Sequence, residues 1–247
     1  MLPADVMNLG ASQGYVALSF VTAALATYAS INFASWHHPR RWVRHTARGT
    51  LLGFGVWAMH FIGMLVTEGG SGVRYDVVLT GISALAAIVM MTLAMAHLDR
   101  PAVRTSTLAW AAALSAFGIV FMHFLGIHAM NVGLHGEWHL VPLVASVTIA
   151  YLASFLGLSL IGHAVSSRAA RLAPGERRGV KAAASATLAL AISGMHFTGM
   201  LAYTVHRHTP TPGGASGQDV ALVVLGVVLI LCMASEVLLA DQRAQTE

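Results

Sequence analysis

Residues 50–67 read TLLGFGVWAMHFIGMLVT, eighteen positions without a charged side chain and with one histidine, His60. Wound as a helix at 1.5 Å per residue, the stretch is roughly 27 Å long, close to the ~30 Å hydrocarbon core of a bilayer. Comparable apolar runs recur at approximately 14–35, 77–97, 108–130, 142–163, 182–203 and 220–240. The expected fold is therefore all-α: one domain over 1–247, a bundle of seven transmembrane helices joined by short loops. Composition agrees. Of 247 residues, 56% are hydrophobic and 10% charged, where a soluble domain carries about 25% charged residues. Mean hydropathy is +0.70.

The first fourteen residues hold Asp5 and no Lys or Arg. They lack the basic start of a cleavable signal peptide, so the first span is expected to be retained. Cys232 is the single cysteine and excludes an intramolecular disulfide. A net charge of +4 and a pI near 9.7 raise the question of nucleic acid, but the basic residues are segregated by loop. Arg40, Arg41, Arg44, Arg48, Arg100, Arg104, Arg168, Arg171, Arg177, Arg178, Lys181 and Arg243 fall on one side of the expected bundle, Arg74 and Arg207 on the other. Twelve against two is a positive-inside signal: N-terminus outside, C-terminus cytoplasmic. Trp36, Trp42, Trp110 and Trp138 lie near span ends, where indoles sit at headgroup level.

The stretch is also one copy of a repeat. Met59-His60-Phe61-Ile62-Gly63-Met64 in span two returns as Met122-His123-Phe124-Leu125-Gly126-Ile127 in span four and Met195-His196-Phe197-Thr198-Gly199-Met200 in span six. The chain reads as three helical hairpins, approximately 14–67, 77–130 and 142–203, plus a last helix at 220–240. All three copies run from inside to outside. His60 lies eight residues before Glu68, His123 eight before Asn131 and His196 ten before His206. Each imidazole is thus roughly 12–15 Å below the outer polar boundary, and the three share one level.

Positions i and i+4 share a helix face, so His60 points with Met64 and His196 with Met200. In the second copy Ile127 replaces the methionine, while His128 follows and Met130 lies further on. Met59, Met122 and Met195 are offset by about 100° from their histidines and face either the same cleft or an adjacent helix. Imidazole and thioether together suit a soft or borderline metal, copper above all. The nearest acids, Glu68, Asp76, Glu137 and Asp219, lie at outer helix ends or loops, and Glu236 at the inner end. Gly63, Gly126 and Gly199 remove side chains beside the histidines and permit close helix approach. Phe61, Phe124 and Phe197 are expected to pack around the site and keep it dry. His37, His38 and His45 fall in the basic loop; His135, His139, His206 and His208 fall in outer loops.

At these residues the chain resembles the MHYT family of bacterial seven-helix sensor domains, over essentially its whole length, including Gly55-Val56-Trp57-Ala58-Met59-His60. The tyrosine of the family name is phenylalanine here, at 61, 124 and 197. The resemblance implies sensing of a diatomic gas (oxygen, carbon monoxide or nitric oxide) through bound copper. It also implies a cytoplasmic output partner such as a cyclic-di-GMP enzyme or a kinase. Only Asp241 to Glu247 follow the last span, so the expectation is a stand-alone sensor or the sensor portion of a longer protein.

Three readings stand side by side. The first is a copper-binding sensor of gas or redox state, not an enzyme. The second is a copper transporter or donor using His and Met as relay sites, favoured by the outer-loop histidines and opposed by the Ala, Leu, Gly and Val of the inner half-spans. The third is a zinc-dependent membrane enzyme with three histidines and an open position, which lacks a nearby carboxylate base. Haem held between two histidines fits the threefold pattern less naturally.

Overall fold

In a computed structural model, residues 4–68, 73–99, 104–130, 136–164, 171–205 and 213–245 are described. Among them are seven helices: α1 (Ala4–Phe33), α2 (Arg41–Glu68), α3 (Val77–Leu98), α4 (Thr105–His128), α5 (Leu140–Ala164), α6 (Pro174–Met200) and α7 (Gly217–Ala244). All seven are long and apolar enough to cross a membrane. Helices α2 and α6 begin well before their apolar runs, because the basic segments that lead into them continue the helix. Pro174 opens α6, where its missing N–H is not needed, and the Glu176 carboxylate accepts from the Ala173 amide at 3.2 Å. Asp76 caps α3 by accepting from the Leu79 amide at 2.9 Å, and Ser216 caps α7 by accepting from Asp219 at 3.1 Å.

Helices α1 to α6 form a closed ring in chain order, with α6 returning to α1. Across its middle, α2, α4 and α6 also touch one another, while α1, α3 and α5 fill the positions between them. Helix α7 stands outside, against α2 and α1. Burial follows this plan: 78% of the apolar window of α2 is buried, against 22% for α7, so α2 is a core element and α7 a lipid-facing one. Lipid offers no hydrophobic reward for bringing helices together, so small residues carry the packing. Ala87, Ala94, Ala111, Ala112 and Ala189 have no exposed surface. A Cβ at Gly53 would stand 2.7 Å from the Ile88 Cα, so glycine sets how closely α2 meets α3. Large apolar side chains such as Val78, Leu85, Trp110, Phe117, Ile230 and Val237 point outward, as a bilayer solvent allows. Across the α2–α3 seam the Trp57 indole donates to Ser83 Oγ at 2.9 Å.

At one end of the bundle the connections are laced by short antiparallel pairs. Strand β1 (Arg74–Tyr75) pairs with β4 (Ala215–Ser216), and β2 (Gly136–Trp138) with β3 (Tyr203–Val205). Tyr75 bridges to Met130, and the Asp76 amide donates to the Ala129 carbonyl at 2.8 Å. Gly213 and Gly214 take φ of +117° and +81°, conformations that favour glycine. The turn presents the Gly213 carbonyl to Arg74 Nε at 2.8 Å. These pairings tie the ends of α2, α4 and α6 together over the level of the three histidines.

Candidate metal centre

Each central helix contributes its histidine. His60 on α2, His123 on α4 and His196 on α6 are fully buried, with no exposed surface. Their Nδ1 atoms form a triangle with edges of 3.0 Å (His60–His123), 3.1 Å (His60–His196) and 3.3 Å (His123–His196). The ring centroids are farther apart, at 4.9 to 5.1 Å, with planes crossing at 78° to 86°. Nδ1 is therefore the inward corner of every ring.

Hydrogen bonding alone does not satisfy such a triangle. A ring nitrogen is a donor or an acceptor, never both. Of three that face one another, two must be of the same kind. A cation at the centre resolves the conflict by taking three lone pairs at once. The size agrees, because a triangle of this edge has its centre about 1.8 Å from each corner, close to the ~2.0 Å bonds that imidazole nitrogens make to a small divalent ion, so His60, His123 and His196 would fit one such ion. The ligating nitrogens form a compact group of three imidazoles without a carboxylate.

The opposite edges of the rings explain the glycines. His60 Nε2 lies over Gly126, His123 Nε2 over Gly199, and His196 Nε2 over Gly63. A Cβ on Gly63 would fall 2.6 Å from His196 Nε2, and Cβ atoms on Gly126 and Gly199 would collide equally with their imidazoles. The pattern is cyclic: each helix inserts a histidine into the notch of the next, α2 into α4, α4 into α6, α6 into α2. None of the Nε2 atoms makes a hydrogen bond of normal geometry. The glycines thus do more than permit helix approach in general: each one seats a particular imidazole. The His-x-x-Gly spacing, repeated three times, was the signal.

The aromatic shell is equally regular. Phe61, Phe124 and Phe197 each stand edge-on to the preceding histidine, with centroids 4.8 to 4.9 Å apart. Phe61 meets Tyr75 at 5.3 Å and Phe124 meets Trp138 at 5.5 Å. Tyr75 and Trp138 both come from the strands over the site, so the strand pairing places an aromatic lid that helix patterns do not reveal.

The methionines divide. Met59, Met64, Met122 and Met195 are buried, whereas Met200 is half-buried. Met195 also lines a small apolar cavity of about 30 Å³ in the bundle interior, together with Ile192 and Ile119. Met130 is buried beyond the end of α4, and His128 is exposed. Of the outer-loop histidines, His139 is exposed and contacts Thr204 Oγ1 at 2.8 Å; His135, His206 and His208 lie outside the described residues.

A three-fold, histidine-centred membrane bundle is the class that this geometry defines. Residues 53–113, 117–174 and 190–244 match the MHYT family, described as the bacterial signalling protein N-terminal repeat, and the chain belongs to that family. It is 34% identical over 238 residues to the cyclic di-GMP phosphodiesterase NbdA of Pseudomonas aeruginosa, covering 93% of this chain and 29% of the relative. To the bifunctional diguanylate cyclase/cyclic di-GMP phosphodiesterase MucR of the same organism it is 30% identical, covering 95% of this chain and 34% of the relative. To the signalling protein YkoW of Bacillus subtilis it is 26% identical, covering 78% and 24%. The chain thus spans about a third or less of the length of these curated relatives. No solved structure matches.

Proposed function

We propose that the chain is a membrane sensor domain that holds one copper ion between His60, His123 and His196, near the outer face of the bacterial inner membrane. The Nδ1 triangle carries this reading. The buried thioethers of Met64, Met59, Met122 and Met195 favour copper over harder metals, with half-buried Met200, Met130 beyond α4 and the exposed imidazole of His128 as less direct candidates. The ion would supply a coordination centre able to bind a diatomic gas or change redox state. The protein's own part is to fix three neutral imidazoles, keep water away with Phe61, Phe124, Phe197 and Tyr75, and couple three helices to one point. A signal follows only if the ligand state favours one helix arrangement over another. The absence of a carboxylate from the triad supports binding and signalling rather than hydrolysis.

Orientation rests on charge. Among the described residues, ten of the eleven Lys and Arg side chains belong to the end away from the triad, Arg74 being the exception, and this bias supports a cytoplasmic location for that end and for the C-terminus. There α7 is positioned to lead to an output such as the cyclic-di-GMP activities named for the relatives.

The test is metal analysis of the purified chain, with His60→Ala, His123→Ala and His196→Ala singly and together. One copper per protein, lost in each single variant, is the expected outcome. Stoichiometric copper retained by the triple variant would defeat the assignment. Binding of carbon monoxide or nitric oxide to the copper-loaded protein, followed spectroscopically, tests the gas step separately.

A further inference from the structure

We infer that the basic end of the bundle carries a second binding site, for a phosphodiester anion, in the cavity between α1, α6 and α7. The cavity measures about 710 Å³, within the usual range of small-molecule sites (roughly 300–1,000 Å³) and far larger than a bare phosphate needs. Arg177, Arg178 and Lys181 line it from α6, and Arg243 from α7. Among the described residues its one lining carboxylate, Glu236, is engaged: its Oε1 accepts from Asn32 Nδ2 at 3.2 Å. Asn32 Oδ1 in turn accepts from Lys181 Nζ at 2.9 Å. Four cations against one carboxylate leave a surplus of three positive charges on a concave wall, where field lines concentrate and draw in anions.

The donor set selects the anion. Two adjacent guanidinium forks suit the paired oxygens of a phosphate, and an ammonium adds a point charge beneath them. The walls are held in place without a ligand. His37 and Gln242 are joined twice, by the His37 amide donating to Gln242 Oε1 at 3.1 Å and by a ring contact at 3.0 Å, which fastens the end of α1 to α7. Beside the cavity, Met233, Val237 and Leu238 of α7 are exposed apolar residues. An anionic phospholipid could place its headgroup in the cavity and its acyl chains along this face. A soluble dinucleotide offers the same phosphodiester chemistry. Either would bridge α6 and α7, and Lys181 is fifteen residues, roughly four turns, from His196 on the same helix.

The experiment uses the whole chain in neutral detergent at about 0.1 M salt. Binding of phosphatidylglycerol, phosphatidylcholine and cyclic di-GMP is measured by native mass spectrometry and by the shift in Tm. Saturable binding of phosphatidylglycerol in preference to phosphatidylcholine supports the site with a lipid occupant; saturable cyclic di-GMP binding supports it with a soluble one. In either case R177Q/R178Q should weaken binding at least about tenfold, since each cation removed is one charge-assisted contact. Lys181→Met should weaken it and Lys181→Arg retain it. The charge-matched control R40Q/R41Q, on residues that do not line the cavity, should change binding less than about twofold. Equal losses in both double variants would reduce the effect to general surface charge and overturn the proposal. So would equal binding of the two lipids together with no binding of the dinucleotide. Unchanged helix content by circular dichroism and unchanged Tm of the ligand-free variants show that the bundle is intact, whether or not the triad holds a metal.

Discussion

The two ends of the bundle hold their polar groups in opposite ways. At the triad end, three imidazoles with no exposed surface are enclosed by phenylalanines and by strand-borne Tyr75, with nitrogens facing one another in a space that suits one ion. At the basic end, Arg177 and Arg178 are exposed around an open cavity, and nearby ion pairs such as Arg44–Asp99, at 3.4 Å, are half in water. Burial makes geometry expensive to change at the first end, and solvent makes charge cheap to change at the second. The contrast shows where a mutation should be felt.

The largest effect is expected at the triad. Replacing any one histidine by alanine should lower copper affinity at least about 100-fold, beyond the 10- to 100-fold typical of groups that only support a ligand, as read by competition with a chelator of known affinity. The same site should lose metal on acidification, because protons and the ion compete for Nδ1 and binding needs neutral imidazole. A metal content unchanged from pH 7.5 down to pH 5 would break the comparison.

Next come the notches. Gly126→Ala should destabilise the bundle by about 1–3 kcal/mol, the usual cost of overpacking, and reduce metal binding as well, because the added Cβ overlaps His60. Gly194→Ala is the matched control: nothing lies within 4 Å of a Cβ there, so the change should stay within about 1 kcal/mol and lean towards stabilisation. Thermal unfolding of the two variants side by side decides whether the glycines seat histidines or merely loosen helices. Equal effects would reject the seating.

Smaller still is Trp57→Phe, which removes the buried indole-to-Ser83 hydrogen bond and should cost about 1 kcal/mol without altering metal content. The smallest effect belongs to the basic end. Arg44→Gln breaks a pair whose side chains are 31% and 40% exposed and should change stability by less than about 0.5 kcal/mol. A Tm loss there as large as that of Gly126→Ala would undo the distinction drawn between the ends.

Much of this was legible in the sequence because the bilayer imposes simple rules. Span length follows from the thickness of the hydrocarbon, and the signature on spans two, four and six made a shared level for His60, His123 and His196 readable by counting residues. The phase of the repeat was harder to read. Pairing the helices as 14–67, 77–130 and 142–203 and starting each unit on a signature helix, as the matches at 53, 117 and 190 do, are both compatible with the packing. Helices α3 and α5 each touch the neighbour before and the neighbour after. The position between α6 and α2 is filled by α1, with α7 outside it, and no periodicity announces that choice.

Other features were hidden for plain reasons. Strands of two or three residues have no pattern to detect, so the placement of Tyr75 and Trp138 over Phe61 and Phe124 waited for coordinates. The basic residues read as a topology signal and not as the lining of a cavity, because Asn32, Lys181 and Glu236 are far apart in the chain, and only folding makes them one polar chain between three helices.

The cyclic seating of imidazoles on glycines has a consequence for motion. A helix that slid along its axis by a single residue's rise, about 1.5 Å, would displace the ring it lends to one neighbour and the hollow it offers to the other. No member of the trio is free to shift privately. Any shift at this end of the bundle therefore has to be shared, as among the leaves of an iris, and an occupant at the centre would bear on all three leaves together.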